Sequence, residues 1–145
     1  MNSLKLHLSH LNYNYFQIQK QLNSETQIVA VVKAGAYGSA SEAVAKRLEE
    51  LGVDYLAVAY AEEGKVLRSY GIKIPIMVFY PQVDSLKTVI EKALEPCLYS
   101  RSLLMAFKDL LKDTNKTQYP IHIKYNTGLY RVGFSPEDTD WVISQ

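Results

Sequence analysis

The sequence predicts an α/β fold with a parallel sheet, built from about five strand–helix units. Short apolar segments rich in β-branched residues are each followed by a segment with the apolar periodicity of a helix. Successive predicted strands lie roughly 22 to 25 residues apart, as in a chain of βα units. No G-x-G-x-x-G fingerprint follows the first strand, which disfavours a dinucleotide-binding sheet. The even spacing instead predicts the N-terminal portion of a (β/α)8 TIM-type barrel, whose eight strands need more than these 145 residues.

The predicted elements alternate along the whole chain. Strands are predicted at 27–33, 54–60, 74–79, 95–99 and 121–125. Helices are predicted after Ser9 and at 41–51, 61–70, 84–93, 100–111 and 137–144. Serines, whose hydroxyl accepts a hydrogen bond from the first helical turn, are the predicted N-caps of four helices: Ser9, Ser39 or Ser41, Ser100 and Ser135.

The composition is that of a soluble globular protein. A formal net charge of +1 indicates neither a nucleic-acid nor a membrane partner. No apolar run approaches the roughly 20 residues of a membrane span, and the N-terminus has no signal-peptide pattern. The single cysteine, Cys97, favours a cytoplasmic location and is interpreted as a buried apolar residue. His7, His10 and His122 have no metal-binding spacing.

The first strand ends in Lys33, and Gly35 and Gly38 then break it. Catalytic groups of α/β folds gather at the carboxyl ends of the strands. Lys33 is therefore either a nucleophile or a surface lysine at a strand end, and this pattern leaves both open. Glu62 and Glu63 follow the second strand, and we interpret them as residues that complement the helix dipole and face solvent.

Three segments resemble the successive motifs of the alanine racemase family. They are 6–14 (LHLSHLNYN), 30–38 (AVVKAGAYG) and 122–134 (HIKYNTGLYRVGF). The similarity runs through essentially the whole chain, in order and with the family's spacing. By length it covers about the first two-fifths of a complete racemase.

The resemblance implies a pyridoxal 5′-phosphate enzyme that interconverts L-alanine and D-alanine for peptidoglycan precursors, as a homodimer. Lys33 would form the Schiff base and handle the proton of the D-enantiomer. Tyr37 would bind the cofactor phosphate, and Arg131 would donate to the phenolate oxygen of the cofactor ring. Lys124 matches a lysine that is often carbamylated, which makes it an anion that fixes the arginine.

The resemblance also has departures. Asn126 stands where the family has aspartate, Leu129 where it usually has methionine, and Gly35 where it commonly has asparagine. Residues 1–145 correspond to a partial N-terminal barrel domain, without the C-terminal β domain whose tyrosine is the base on the opposite face, supplied by the partner subunit. We therefore expect the chain alone neither to racemise alanine nor to hold the cofactor firmly.

Two alternatives share the strand-end lysine. One is a non-catalytic, single-barrel pyridoxal-phosphate-binding protein that carries or buffers the cofactor. The other is a decarboxylase of the same barrel type that acts on a basic amino acid. The Tyr-Gly after Lys33 and the later Lys–Thr-Gly–Arg block both favour the racemase.

Overall fold

A computed structural model describes residues 3–114, 116 and 118–145. The strands are β1 (Val29–Val31), β2 (Tyr55–Val58), β3 (Ile76–Val78), β4 (Glu95–Leu98) and β5 (His122–Ile123). The helices are α1 (Leu8–Gln19), α2 (Lys33–Gly38), α3 (Ser41–Glu50), α4 (Ala61–Ser69), α5 (Leu86–Glu91), α6 (Arg101–Lys112) and α7 (Thr139–Ile143). Short 3₁₀ turns precede α5 and α7. Every predicted strand and helix is confirmed, although the strands are shorter than predicted.

The sheet is wholly parallel, and its strands follow the order of the chain, β1-β2-β3-β4-β5. Val29 of β1 lies beside Tyr55 of β2, and Cys97 of β4 lies beside His122 of β5. Because all strands run the same way, their carboxyl ends meet at one rim, which we call the carboxyl edge. This arrangement confirms the predicted α/β class and the first five strands of a barrel.

The two faces of the sheet differ in burial, because alternate side chains of a strand point to opposite faces. One face packs under the helices and is apolar, with Leu56, Val58, Ile76 and Val78 all fully buried. The other, which we call the inner face, comprises Val29, Val31, Tyr55, Ala57, Met77, Glu95, Cys97 and His122. Val29 and Val31 of β1 are 40% and 37% exposed on it.

Two of the four predicted serine caps are wrong. Ser100 accepts a hydrogen bond from the Leu103 N–H at 3.3 Å, as predicted. Ser135 is the N-cap of the last helical segment, but its hydroxyl donates to Oδ2 of Asp138 at 3.3 Å instead of accepting from the first turn. However, α1 begins at Leu8, so Ser9 lies inside it. Ser41 is the first residue of α3 and Ala40 is its N-cap, because the chain enters this helix from a left-handed turn.

At the opposite rim of the sheet, Arg68 at the end of α4 joins several chain segments. Its guanidinium donates to the backbone oxygens of Lys92, Ala93, Ile72 and Ile74, at 2.7 to 3.1 Å. These oxygens belong to the segment after α5 and to the segment that leads into β3. Burial lowers the pKa of Arg68, although the nearby negative charges of Glu49 and Glu95 act to raise it.

No helix in the described residues is long and apolar enough to cross a membrane.

Candidate functional site

Shortly after β1 the chain enters a turn of left-handed helix, α2 (Lys33–Gly38), which we call the Lys33 turn. Ala34, Gly35, Ala36 and Tyr37 have φ values of 52° to 64° and ψ values of 38° to 50°. The turn is closed by the Ala36 N–H, which donates to the Val32 oxygen at 3.0 Å. The left-handed conformation costs roughly 1–2 kcal/mol for each residue other than glycine. The sequence predicted a turn here from its glycines but not the three non-glycine residues that share the strained backbone.

Gly35 occupies this turn where the resembling family commonly has asparagine. Glycine and asparagine are both residues that adopt φ > 0 readily. No atom other than those of its chain neighbours lies within 4 Å of the position that a Cβ at Gly35 would take. The departure at Gly35 is therefore compatible with the same backbone.

Glu63 fastens this turn to the next strand, which the sequence analysis missed. Its Oε1 accepts from the Ala34 N–H at 2.6 Å. Its Oε2 accepts from the N–H groups of Ala59 and Tyr60, at 2.7 and 3.1 Å. Glu63 does lie in the first turn of α4, where a carboxylate complements the helix dipole as interpreted, but it does not face solvent, because it is half-buried and both its oxygens accept hydrogen bonds. Glu62, in contrast, is exposed and pairs with Lys65.

The turn presents two of the predicted site residues together. Lys33 is half-buried at its start, and Tyr37 is 67% exposed four residues later. An exposed phenol can donate a hydrogen bond to an anionic oxygen. The turn thus offers an amine and a hydroxyl at the carboxyl edge.

The other two predicted site residues both come after β5: Lys124 directly follows its last residue, and Arg131 lies in the loop beyond. The Lys124 N–H donates to the Leu98 oxygen at 2.9 Å, which continues the β4–β5 pairing. Its Nζ lies 5.8 Å from the centre of the Tyr80 ring, in a cation–π arrangement. Arg131 lies in the loop between 126 and 133, with its side chain exposed.

Asn126 organises that loop. Its Oδ1 accepts from the Gly128 N–H at 3.2 Å and from the Tyr130 N–H at 3.0 Å. An amide oxygen accepts both bonds, so they do not need the aspartate that the resembling family has here. The missing carboxylate therefore leaves the fold of the Arg131 loop intact.

Gly133 closes the same loop against the segment after β5. The Asn126 N–H donates to the Phe134 oxygen, and the Phe134 N–H donates to the Lys124 oxygen, both at 2.8 Å. Between these bonds Gly133 has φ +139° and lies so close to this segment that a Cβ would come within 2.5 Å of the Asn126 nitrogen. Only glycine fits this crossing.

The site residues thus form two groups, the Lys33 turn at one end of the sheet and the Arg131 loop at the other. They follow the first and the fifth strand, with three strands between them. In a closed barrel of eight strands, the first and the fifth are diametrically opposite. The two groups would then face each other across the mouth of the barrel.

A polar cluster lies deeper on the inner face, and sequence reasoning missed it too. Nε2 of His122 lies 2.9 Å from Oε2 of Glu95, whose side chain is almost fully buried. The Tyr55 ring meets the His122 ring edge to face, with 6.0 Å between their centres. His122 thus pairs with a carboxylate, and the described residues contain no group of three or more side chains suited to a metal ion.

Cys97 lies on the same face and is buried as predicted. Burial raises the pKa of the Cys97 thiol from 9.0 to about 11, although the positive charge of Lys124 acts to lower it.

This pKa predicts slow alkylation of Cys97. Because the thiolate is the nucleophile, alkylation of the folded chain at pH 8 should be about 100-fold slower than in the unfolded chain. The rate should keep rising with pH until about pH 11. Iodoacetamide labelling with and without urea measures this, and equal rates in both would contradict it.

Comparison with known proteins gives consistent matches. The family model described as "Alanine racemase, N-terminal domain" matches residues 6–145. Alanine racemase 1 of Caldanaerobacter subterraneus is 35% identical over 90% of this chain and 34% of its own length. The structure of an alanine racemase from Clostridium difficile 630 is 33% identical, with a TM-score of 0.90 over 94% of this chain and 37% of that one. A second structure of that protein, in complex with cycloserine, is 32% identical over 94% of this chain and 38% of its own, with a TM-score of 0.89. This chain therefore spans about a third of the curated relative.

Proposed function

This chain belongs to the alanine racemase family, in its N-terminal domain, and we propose that it supplies the cofactor lysine and one catalytic face of a pyridoxal-phosphate-dependent alanine racemase. The observation that carries the proposal is the Lys33 turn, which holds an amine and a phenol together at the carboxyl edge. The matched family favours this activity over the non-catalytic cofactor carrier and over the decarboxylase.

The residues at the carboxyl edge fit pyridoxal 5′-phosphate by their chemistry. Lys33 would hold the cofactor through its amine, a group that is nucleophilic toward an aldehyde carbon. Tyr37 supplies an exposed hydroxyl for the phosphate, and Arg131 supplies a guanidinium for the phenolate oxygen. When bound, the cofactor supplies the electron sink that makes the substrate Cα–H acidic.

Lys33 then has a second role as a base. With its amine free, Nζ of Lys33 would take or return the Cα proton on one face of the substrate, the face that handles D-alanine. The base for the opposite face would come from the C-terminal β domain of the partner subunit. We therefore propose that the 145 residues by themselves do not racemise alanine and hold the cofactor only weakly.

Lys124 and Arg131 both lie in the segment that follows β5, which supports a joint role. We propose that carbamylation of the Lys124 amine gives it a negative charge that orients Arg131. Without this modification the two side chains are like charges, which repel.

The family also suggests the setting of the reaction. We propose that the whole protein is a cytoplasmic homodimer that acts on free alanine and supplies D-alanine for peptidoglycan. The free, buried Cys97 suits a reducing compartment.

The proposal predicts selective modification of Lys33. Incubation with pyridoxal 5′-phosphate followed by borohydride reduction should label Lys33 faster than the surface lysines, as measured by peptide mapping. Dialysis before reduction should remove most of the label, because the cofactor is held weakly. Lys33→Ala should abolish the preferred label, whereas Lys46→Ala, on an exposed helix face, should leave it unchanged. Equal labelling of Lys33 and Lys46 in the wild-type chain would overturn the proposal.

A further inference from the structure

The Glu63 carboxylate is the link between the ends of β1 and β2. One oxygen accepts from the peptide N–H that directly follows Lys33, and the other accepts from the N–H groups of Ala59 and Tyr60, which lie between β2 and α4. All three partners are backbone groups, so the bonds fix the course of the chain and not merely a side chain. Hydrogen bonds to an ionised carboxylate are about twice as strong as those between neutral groups.

The turn that Glu63 holds is also supported from within: Ala36 is buried in the core, and the N–H and hydroxyl of Ser39 donate to backbone oxygens of Gly35 and Ala36. Its left-handed backbone at Ala34, Ala36 and Tyr37 is intrinsically unfavourable. Gly35 also lines a small cavity, together with Val32, Val58 and Glu63 among others. Ala34 is exposed, and its N–H bond to Glu63 is what joins this end of the turn to the segment that follows β2.

We propose that Glu63 is a positioning residue for Lys33. By holding the Ala34 N–H, its carboxylate fixes the direction in which the chain leaves β1 and thereby aims the Lys33 amine at the cofactor's aldehyde carbon. This inference rests on the function proposed above. The effect acts through the backbone, since the three hydrogen bonds of Glu63 all go to backbone N–H groups.

The substitution Glu63→Gln separates this role from helix capping. Glutamine has one acceptor oxygen, so it can serve only one side of the link. We expect that oxygen to accept from the N–H groups of Ala59 and Tyr60, because two donors lie on that side, and the start of α4 then stays intact. The amide nitrogen then faces the Ala34 N–H, donor against donor, and the bond to the Lys33 turn is lost.

The experiment measures the rate of covalent attachment at Lys33, trapped with borohydride, against pyridoxal-phosphate concentration. For Glu63→Gln we expect the maximal rate to fall about tenfold while the half-saturating concentration stays the same. Labelling of Lys46 in the same sample should not change. The matched control is Glu62→Gln, which removes the same charge one residue away and touches only Lys65. It should behave as wild type.

Each outcome has a distinct meaning. If wild-type chain shows no preferred attachment at Lys33, the proposed function fails and this inference falls with it. If attachment is normal and Glu63→Gln leaves its maximal rate unchanged, only the positioning role is overturned. A second measurement needs no variant: the Ala34 N–H of the wild-type chain should be protected from hydrogen exchange, and exchange at the rate of a free peptide would also overturn the role.

Discussion

Replacing Gly133 with alanine should lower the free energy of unfolding by about 3–5 kcal/mol. The new Cβ would lie 2.5 Å from the Asn126 nitrogen and 2.6 Å from the Tyr125 carbonyl carbon. These are backbone atoms of the segment after β5, which the bridge between Tyr125 and Phe134 holds in place, so they cannot move aside cheaply. The φ of +139° adds strain that any residue with a Cβ must bear. Urea denaturation followed by far-ultraviolet circular dichroism measures the loss.

Gly71→Ala is the matched control for this prediction. Gly71 also has a positive φ, of 89°, but no atom lies within 4 Å of its Cβ position. Its substitution should therefore cost only the backbone term, about 1–2 kcal/mol. Equal losses in the two variants would show that the close crossing at Gly133 is not what requires glycine there.

Replacing Arg68 with methionine should lower the free energy of unfolding by about 2–4 kcal/mol. The change keeps the apolar stem but removes the donors that bind four backbone oxygens. Those oxygens lie where α4, α5 and β3 meet, so their loss loosens three elements together. Lysine should recover only part of the loss, because an ammonium cannot reproduce the planar fork of the guanidinium.

An exposed lysine provides the comparison. Lys87 forms a 3.9 Å ion pair with Glu91 on the surface of α5. Lys87→Met should change the free energy of unfolding by less than about 0.5 kcal/mol. The expected order of loss, measured by urea denaturation, is Arg68→Met, then Arg68→Lys, then Lys87→Met. A loss for Arg68→Met as small as that for Lys87→Met would contradict the role of the guanidinium.

The sequence was sufficient to predict the order of strands and helices because that order depends on local patterns. The run from Ile28 to Val32 is apolar and β-branched whatever surrounds it, and Ser100 precedes a helix with a clear apolar stripe. The cap assignments of Ser9 and Ser41 are wrong for a physical reason. A serine caps only when its own backbone is extended, and the neighbouring turn determines that.

Sequence reasoning found Lys33 and Tyr37 but not what holds them. The motif and its glycines are contiguous, whereas the bond from Ala34 to Glu63 spans 29 residues and depends on the register of β1 with β2. His122 and Glu95 are likewise 27 residues apart and meet only through the pairing of β4 with β5. Contacts of this kind follow from how strands align, which no local pattern encodes.

The order of the sheet has a consequence for how the chain acquires its structure during synthesis. Each strand pairs with the strand that precedes it in the sequence, so its partner has already been synthesised when it emerges. At 5–20 residues/s, a unit of about 20 to 25 residues leaves the ribosome in roughly 1–5 s. A helix forms in about a microsecond, so each unit has time to dock before the next one emerges. The bond between the Lys33 turn and Glu63 can therefore form as soon as α4 has left the ribosome, well before β5 and Lys124 have been translated.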